Sequence, residues 1–130
     1  MKRITNTALF ASLLCLVVLV PSTVRAQTQY VRGVPQCGHS EYDKSGNWYL
    51  IDTCNIDVTI TFTNSGNGAA WGQAHVGAGQ RQLTETMGNA NPRDNGTISL
   101  FTCPGTSTAV TPDGRQFGNH YHGEYTCQQN

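Results

Sequence analysis

Two histidines and a glutamate near the end of the chain have the residue types and spacing that could bind a metal. They are His120, His122 and Glu124. On a strand, whose side chains alternate between two faces, all three would share one face. Imidazole and carboxylate groups bind zinc or copper, so this pattern predicts a metal carrier or a metal-dependent hydrolase. The stronger interpretation is that Tyr121, Tyr125 and Cys127 form a buried face and the histidines only face solvent.

A second candidate site is the row of threonines in a strictly alternating stretch, Val58–Thr63. One face of this predicted strand is apolar and expected to be buried; it consists of Val58, Ile60 and Phe62. The other is expected to be largely exposed; it consists of Thr59, Thr61 and Thr63. Hydroxyls at strand spacing could form a flat surface for a sugar. The alternative is that threonine is simply a good strand residue.

Three aromatic residues, Trp48, Tyr49 and Trp71, are candidates for a platform on which a carbohydrate stacks. Indole and phenol rings offer large apolar faces and a polar edge. In a small domain such rings more often belong to the core, which is the alternative interpretation.

The chain has five cysteines, of which Cys15 lies in the N-terminal apolar run; the other four, Cys37, Cys54, Cys103 and Cys127, indicate two disulfide bonds. An even number in a small exported domain is typical of a disulfide framework, and four cysteines allow three connectivities. We favour Cys37–Cys54 with Cys103–Cys127, since each pair is nearest in sequence. Zinc binding is disfavoured because no C-x-x-C spacing occurs.

The N-terminal segment predicts export. Lys2 and Arg3 precede the apolar run Ala8–Val20, and small residues lead to a cleavage site after Ala26, so residues 1–26 are expected to be a signal peptide. The expected mature chain, residues 27–130, is one domain without a membrane span, secreted or periplasmic. It keeps 8 − 3 = 5 basic residues against 8 acidic ones, a net charge of −3. This balance argues against nucleic acid as a partner.

Short strands separated by turn residues predict an all-β fold, a small antiparallel β-sandwich or barrel. Strands are expected around Trp48–Ile51, Ala70–Val76, Thr97–Cys103 and Tyr121–Cys127, besides the alternating stretch. Asp43–Asn47 and Thr111–Gly114 are expected to be turns. The polar loop Gly88–Gly96 could be presented to an exported protease, which predicts an inhibitor.

Several short motifs resemble small exported bacterial β-sandwich-like proteins of uncharacterised function. In order along the chain they are Asn55 beside Cys54, the Val58–Phe62 strand, Trp71, Leu100–Pro104 and Tyr125–Cys127. The resemblance implies an all-β fold and an envelope or extracellular location. It implies no catalytic residue.

The chain lacks a nucleophile elbow, and no pair of carboxylates has a spacing typical of acid–base catalysis. We therefore expect a non-enzymatic binding or structural module without a cofactor, with a glycan or an envelope protein as partner. The alternatives are the metal protein with His120, His122 and Glu124, and the inhibitor of exported proteases.

Overall fold

In the computed structural model, which describes residues 26–64, 71–84 and 98–130, the chain is all-β apart from a 3₁₀ turn, Pro35–Cys37. The strands described are β1 (Tyr30–Val31), β2 (Gly38–Tyr42), β3 (Trp48–Asp52), β4 (Val58–Asn64), β5 (Trp71–Val76), β6 (Arg81–Thr84), β7 (Ile98–Pro104), β8 (Thr108–Val110) and β9 (Thr126–Gln128). The predicted signal peptide, except Ala26, and the predicted loop Gly88–Gly96 lie outside the described residues. Within those three ranges, no helix is long and apolar enough to cross a membrane.

The strands form three antiparallel sheets with the orders β1-β9-β8, β2-β3-β6 and β5-β4-β7. Strand β4 is the centre of the last sheet, where Thr61 lies opposite Gln73 of β5 and Phe101 of β7. This arrangement confirms the predicted all-β class with antiparallel sheets packed on one another as in a sandwich.

The first core lies between the sheets β5-β4-β7 and β2-β3-β6. It confirms the predicted burial of one face of β4, since Val58, Ile60 and Phe62 are at most 1% exposed. The residues that pack against them from the facing sheet and from β5 are Trp48, Leu50 and Val76, together with Cys37. The period-two pattern of β4 therefore gives the correct register.

The prediction that the threonine face of β4 is exposed is wrong. Thr59, Thr61 and Thr63 are 3%, 0% and 2% exposed. A second core lies on their side of the sheet, where a third layer covers it. That layer consists of the sheet β1-β9-β8 and the segment 111–125, and the second core contains Phe101, Cys103, Ala109, Phe117 and Cys127.

The hydroxyls explain why threonines occupy this buried face. Thr59 donates to the backbone oxygen of Gly105 at 2.7 Å, and Thr63 donates to the backbone oxygen of Tyr121. Both acceptors lie in irregular segments, so their carbonyls are not paired with a neighbouring strand. A buried carbonyl needs a donor, and threonine supplies one while keeping the branched shape that suits a strand.

Replacing Thr63 by valine should lower the free energy of unfolding by about 1–3 kcal/mol, because it leaves the Tyr121 carbonyl without its donor. Thr61→Val is the matched control: Thr61 donates at 3.3 Å to Gln73, whose exposed amide can bond to water instead. Thr61→Val should therefore lower the free energy of unfolding by clearly less than Thr63→Val. Urea unfolding of both variants measures the difference, and equal costs would contradict this account of the threonine face.

The predicted last strand is shorter than expected. Only Thr126–Gln128 is a strand, and the residues from Asn119 to Tyr125 form turns and irregular backbone. The rings of Tyr121 and Tyr125 nevertheless pack on Phe101, with centroids 5.6 and 5.3 Å away. Burial raises the pKa of Tyr125, whose hydroxyl donates to the backbone oxygen of Thr102 at 2.9 Å. The segment is thus held by its aromatic side chains.

Both predicted disulfide pairings are confirmed. Cys37–Cys54 joins the 3₁₀ turn to the residues that follow β3, and Cys103–Cys127 joins β7 to β9. The second bond therefore links the central sheet covalently to the third layer. Two disulfides are compatible with an oxidising, extracellular environment.

Candidate functional site

The three aromatic residues predicted as a platform lie in different environments. Trp48 is only 8% exposed and packs on Tyr42 with ring centroids 5.0 Å apart, so its predicted place on a ligand surface is wrong. Tyr49 has the guanidinium carbon of Arg81 3.7 Å from its ring centroid, which occupies one face of the ring. Trp71 is 38% exposed. Of the three predicted rings, Trp71 offers the most accessible surface.

Trp71 belongs to an exposed row on β5, formed with Gln73 and His75, which we name the β5 strip. All three side chains are exposed. Gly72, which lies between Trp71 and Gln73, and Val76, which follows His75, are buried. Alternate residues of a strand are about 6.8 Å apart, so the three side chains follow a line about 14 Å long. Strand β5 is at the edge of its sheet, which leaves this row beside solvent.

The buried threonines hold two side chains of the strip. Thr61 donates to the Gln73 side-chain oxygen at 3.3 Å, and Thr59 Oγ1 is 3.4 Å from His75 Nδ1. The single hydroxyl hydrogen of Thr59 is already donated to Gly105, so His75 must donate through Nδ1. These contacts fix the side-chain orientations and leave Gln73 Nε2 and His75 Nε2 for a ligand.

A carboxylate lies at the His75 end of the strip. Asp57 Oδ2 is 3.9 Å from His75 Nε2, and both side chains are about half exposed. Asp57 Oδ1 accepts from the backbone N–H of Ala78 at 3.0 Å, which anchors the carboxylate to the turn after β5. The β5 strip and Asp57 at its end therefore offer, in order, an aromatic ring, an amide, an imidazole and a carboxylate.

Gly72 allows β5 to lie close to the first core. A Cβ atom added to Gly72 would be 2.3 Å from Cζ of Phe62, its register partner on β4. The glycine therefore permits a close backbone approach to the aromatic ring. Gln73 and His75 were not predicted as site residues, although the alternation of Gly72, Ala74 and Val76 with larger polar neighbours was a signal for them.

The predicted metal ligands do not form a cluster. His120, His122 and Glu124 are exposed and lie on irregular backbone rather than on a strand. His122 Nδ1 lies 3.0 Å from the backbone oxygen of His120. Among the described residues, the group of three side chains with ligand atoms within 4.8 Å is Cys37, Asp52 and Cys54, and its two cysteines are disulfide-bonded.

Comparisons with protein-family models, curated proteins and solved structures find no match to this chain. The geometry of the β5 strip is therefore the basis for the functional argument.

Proposed function

We propose that this protein is an exported, non-enzymatic module that binds a glycan along the β5 strip. The observation that carries the proposal is the exposed Trp71 on an edge strand, in line with two polar side chains that buried threonines hold in place. A ligand that meets such a strip needs an apolar face for the ring and hydrogen-bonding groups beside it.

Sugars have this combination of groups. The C–H face of a pyranose ring packs on an indole, and its hydroxyls both donate and accept hydrogen bonds. Gln73 Nε2 can donate to a hydroxyl, and His75 Nε2 and the Asp57 carboxylate can accept from one. A straight strip about 14 Å long fits a run of sugar units along an extended chain better than a single small molecule.

The rigidity of the strip favours binding. Its side chains rest on buried residues of β4, and the two disulfides restrict the surrounding layers. Less side-chain freedom is then lost when a ligand binds. Disulfides also suit a protein that works outside the cytoplasm, where envelope glycans are found.

Trp71→Ala should weaken binding of a glycan identified in an array screen by about tenfold or more, since stacking on an aromatic ring contributes about 1–3 kcal/mol in comparable ring contacts. Gln73→Ala should weaken it by a smaller factor. Ile56→Ala is a matched control, because Ile56 is also an exposed apolar residue, at 43%. Calorimetric titration measures all three. Equal affinities of the wild type and Trp71→Ala would refute the proposed site.

Tryptophan fluorescence gives a second readout of the same site. The chain contains two tryptophans, of which Trp48 is buried and Trp71 is exposed. In a Trp48→Phe variant the emission comes from Trp71 alone. A bound glycan should then protect it from iodide quenching, and unchanged quenching at saturating glycan would place the ligand elsewhere.

The two other hypotheses stay predictions. Metal binding by His120, His122 and Glu124 gains no support from their geometry, and elemental analysis of protein purified without chelator tests it. Protease inhibition depends on Gly88–Gly96, outside the described residues, and a protease panel tests it.

A further inference from the structure

The outer face of the sheet β2-β3-β6 has two cross-strand rows of side chains, which we name the outer face. One row joins His39, Ile51 and Arg81; the other joins Glu41, Tyr49 and Leu83. The two β3 residues in the middle, Ile51 and Tyr49, are half-buried, and the four flanking side chains are exposed. An apolar centre thus lies between the two edge strands, whose flanking side chains are polar except for Leu83.

Arg81 lies over an aromatic ring and has no carboxylate partner among the described residues. Its guanidinium carbon lies 3.7 Å from the centroid of the Tyr49 ring, a cation–π contact that holds the group over the ring. In the part of the chain that the structure describes, no carboxylate lies within 4.0 Å of it, whereas Arg115 is paired with Asp113 at 2.7 Å. The N–H donors at the edge of the Arg81 guanidinium therefore remain available for an anion.

The nearby carboxylate of Asp43 is engaged elsewhere. Asp43 Oδ1 accepts from the backbone N–H groups of Ser45 and Asn47 at 2.9 Å each, and Oδ2 accepts from the Asn47 amide at 3.2 Å. These turn contacts, first of all the backbone N–H of Asn47, hold the pKa of Asp43 below its ordinary value, and Arg81 contributes least. Asp43 thus belongs to the hairpin turn and does not pair with Arg81, whose charge acts on it from more than 4.0 Å away.

Glu41 determines what kind of anion fits. It lies on β2 directly opposite Tyr49, and the Arg81 guanidinium lies over the Tyr49 ring, so Glu41 is about one strand spacing, roughly 5 Å, from the side chain over which the guanidinium lies. Its carboxylate only accepts hydrogen bonds and repels other anions. A ligand that meets both groups needs an acid group at one end and hydroxyl or N–H donors at the other. A densely charged polyanion does not meet this requirement.

We propose that the outer face binds an acidic glycan in which uronic acid alternates with a neutral sugar. The carboxylate of the uronic acid meets the guanidinium of Arg81 in the two-point geometry that arginine favours. Hydroxyls of the adjoining sugar donate to Glu41, and a sugar ring covers Ile51. This site is separate from the β5 strip and stands on its own residues, so the two proposals can fail independently.

The test is a calorimetric titration of the mature protein with a hyaluronan hexasaccharide and with its carboxyl-reduced, neutral counterpart. We expect the reduced form to bind at least tenfold more weakly. Arg81→Gln should weaken binding of the acidic form by a similar factor, and Arg81→Lys, which keeps the charge without the planar fork, by less. Arg32→Gln is the matched control, since Arg32 is an exposed arginine away from this face.

Four results would overturn the proposal. They are no binding of the hexasaccharide, equal binding of its reduced form, equal affinity of Arg81→Gln, and equal binding of an alternating Asp-Gly peptide, which would assign the face to acidic peptides. Superimposable unfolding curves of the Arg81 variants and the wild type establish that a loss of binding is local.

Discussion

Reduction of both disulfides is expected to unfold the mature domain at 37 °C. Each bond should contribute about 3 kcal/mol, since the sequence separations it closes are 17 and 24 residues. Together they approach the whole stability of a domain of this size, about 5–15 kcal/mol. Urea unfolding followed by circular dichroism, with and without reductant, measures the loss. A reduced protein that keeps its unfolding midpoint would contradict this expectation.

The two disulfides should differ in importance. Cys103 and Cys127 are both fully buried and lie in the second core, whereas Cys54 is only half-buried. Their bond is also the covalent link between the central sheet and the third layer. Replacing this pair by alanine should therefore cost more than replacing the pair Cys37 and Cys54, because buried sulfur is lost as well as the crosslink. Equal costs would show that the third layer is held mainly by its other contacts.

Thiol titration controls both experiments. A chain that begins at Gln27, and therefore lacks Cys15, should show no reactive thiol when it is unfolded without reductant. Two or more reactive thiols would refute the pairing itself.

The parts of the fold that the sequence predicted are those that local patterns determine. Strand β4 was predicted from its alternation, β3 and β7 from short apolar runs, and the Asp43–Asn47 turn from its polar residues. The disulfide pairing followed from nearness in sequence. In each instance the determining residues lie within one short stretch.

The parts that the sequence missed depend on distant residues. Alternation separates the two faces of β4 but does not show whether another layer covers the polar one. Tyr121, whose backbone oxygen accepts from the buried Thr63, lies 58 residues further along the chain. The same limit applies to the aromatic residues, since Trp48 is buried by the packing of one sheet on another. On β5 the sequence predicts the strand and the candidate Trp71, but Gln73 and His75 are held in place by Thr61 and Thr59 of the neighbouring strand, a contact that no local pattern shows.

The last prediction concerns Phe62, the largest fully buried side chain among the residues that the structure describes. Phe62→Ala should lower the free energy of unfolding by about 3–5 kcal/mol, the usual cost of emptying an aromatic core site. Gly72→Ala should also destabilise, because the added Cβ would lie 2.3 Å from the Phe62 ring. Urea unfolding of both variants and of the double variant completes a double-mutant cycle.

The double variant distinguishes a local clash from a general loss of strand stability. Once the ring of Phe62 is absent, the methyl group that Gly72→Ala adds no longer meets it and fills part of the space it leaves. Gly72→Ala should therefore cost less in the Phe62→Ala background than in the wild type, a coupling expected only of residues in contact. Strictly additive costs would mean that β5 does not lie on Phe62. The register of β4 with β5 would then be wrong, and with it the placement of Gln73 and His75 beside the threonines.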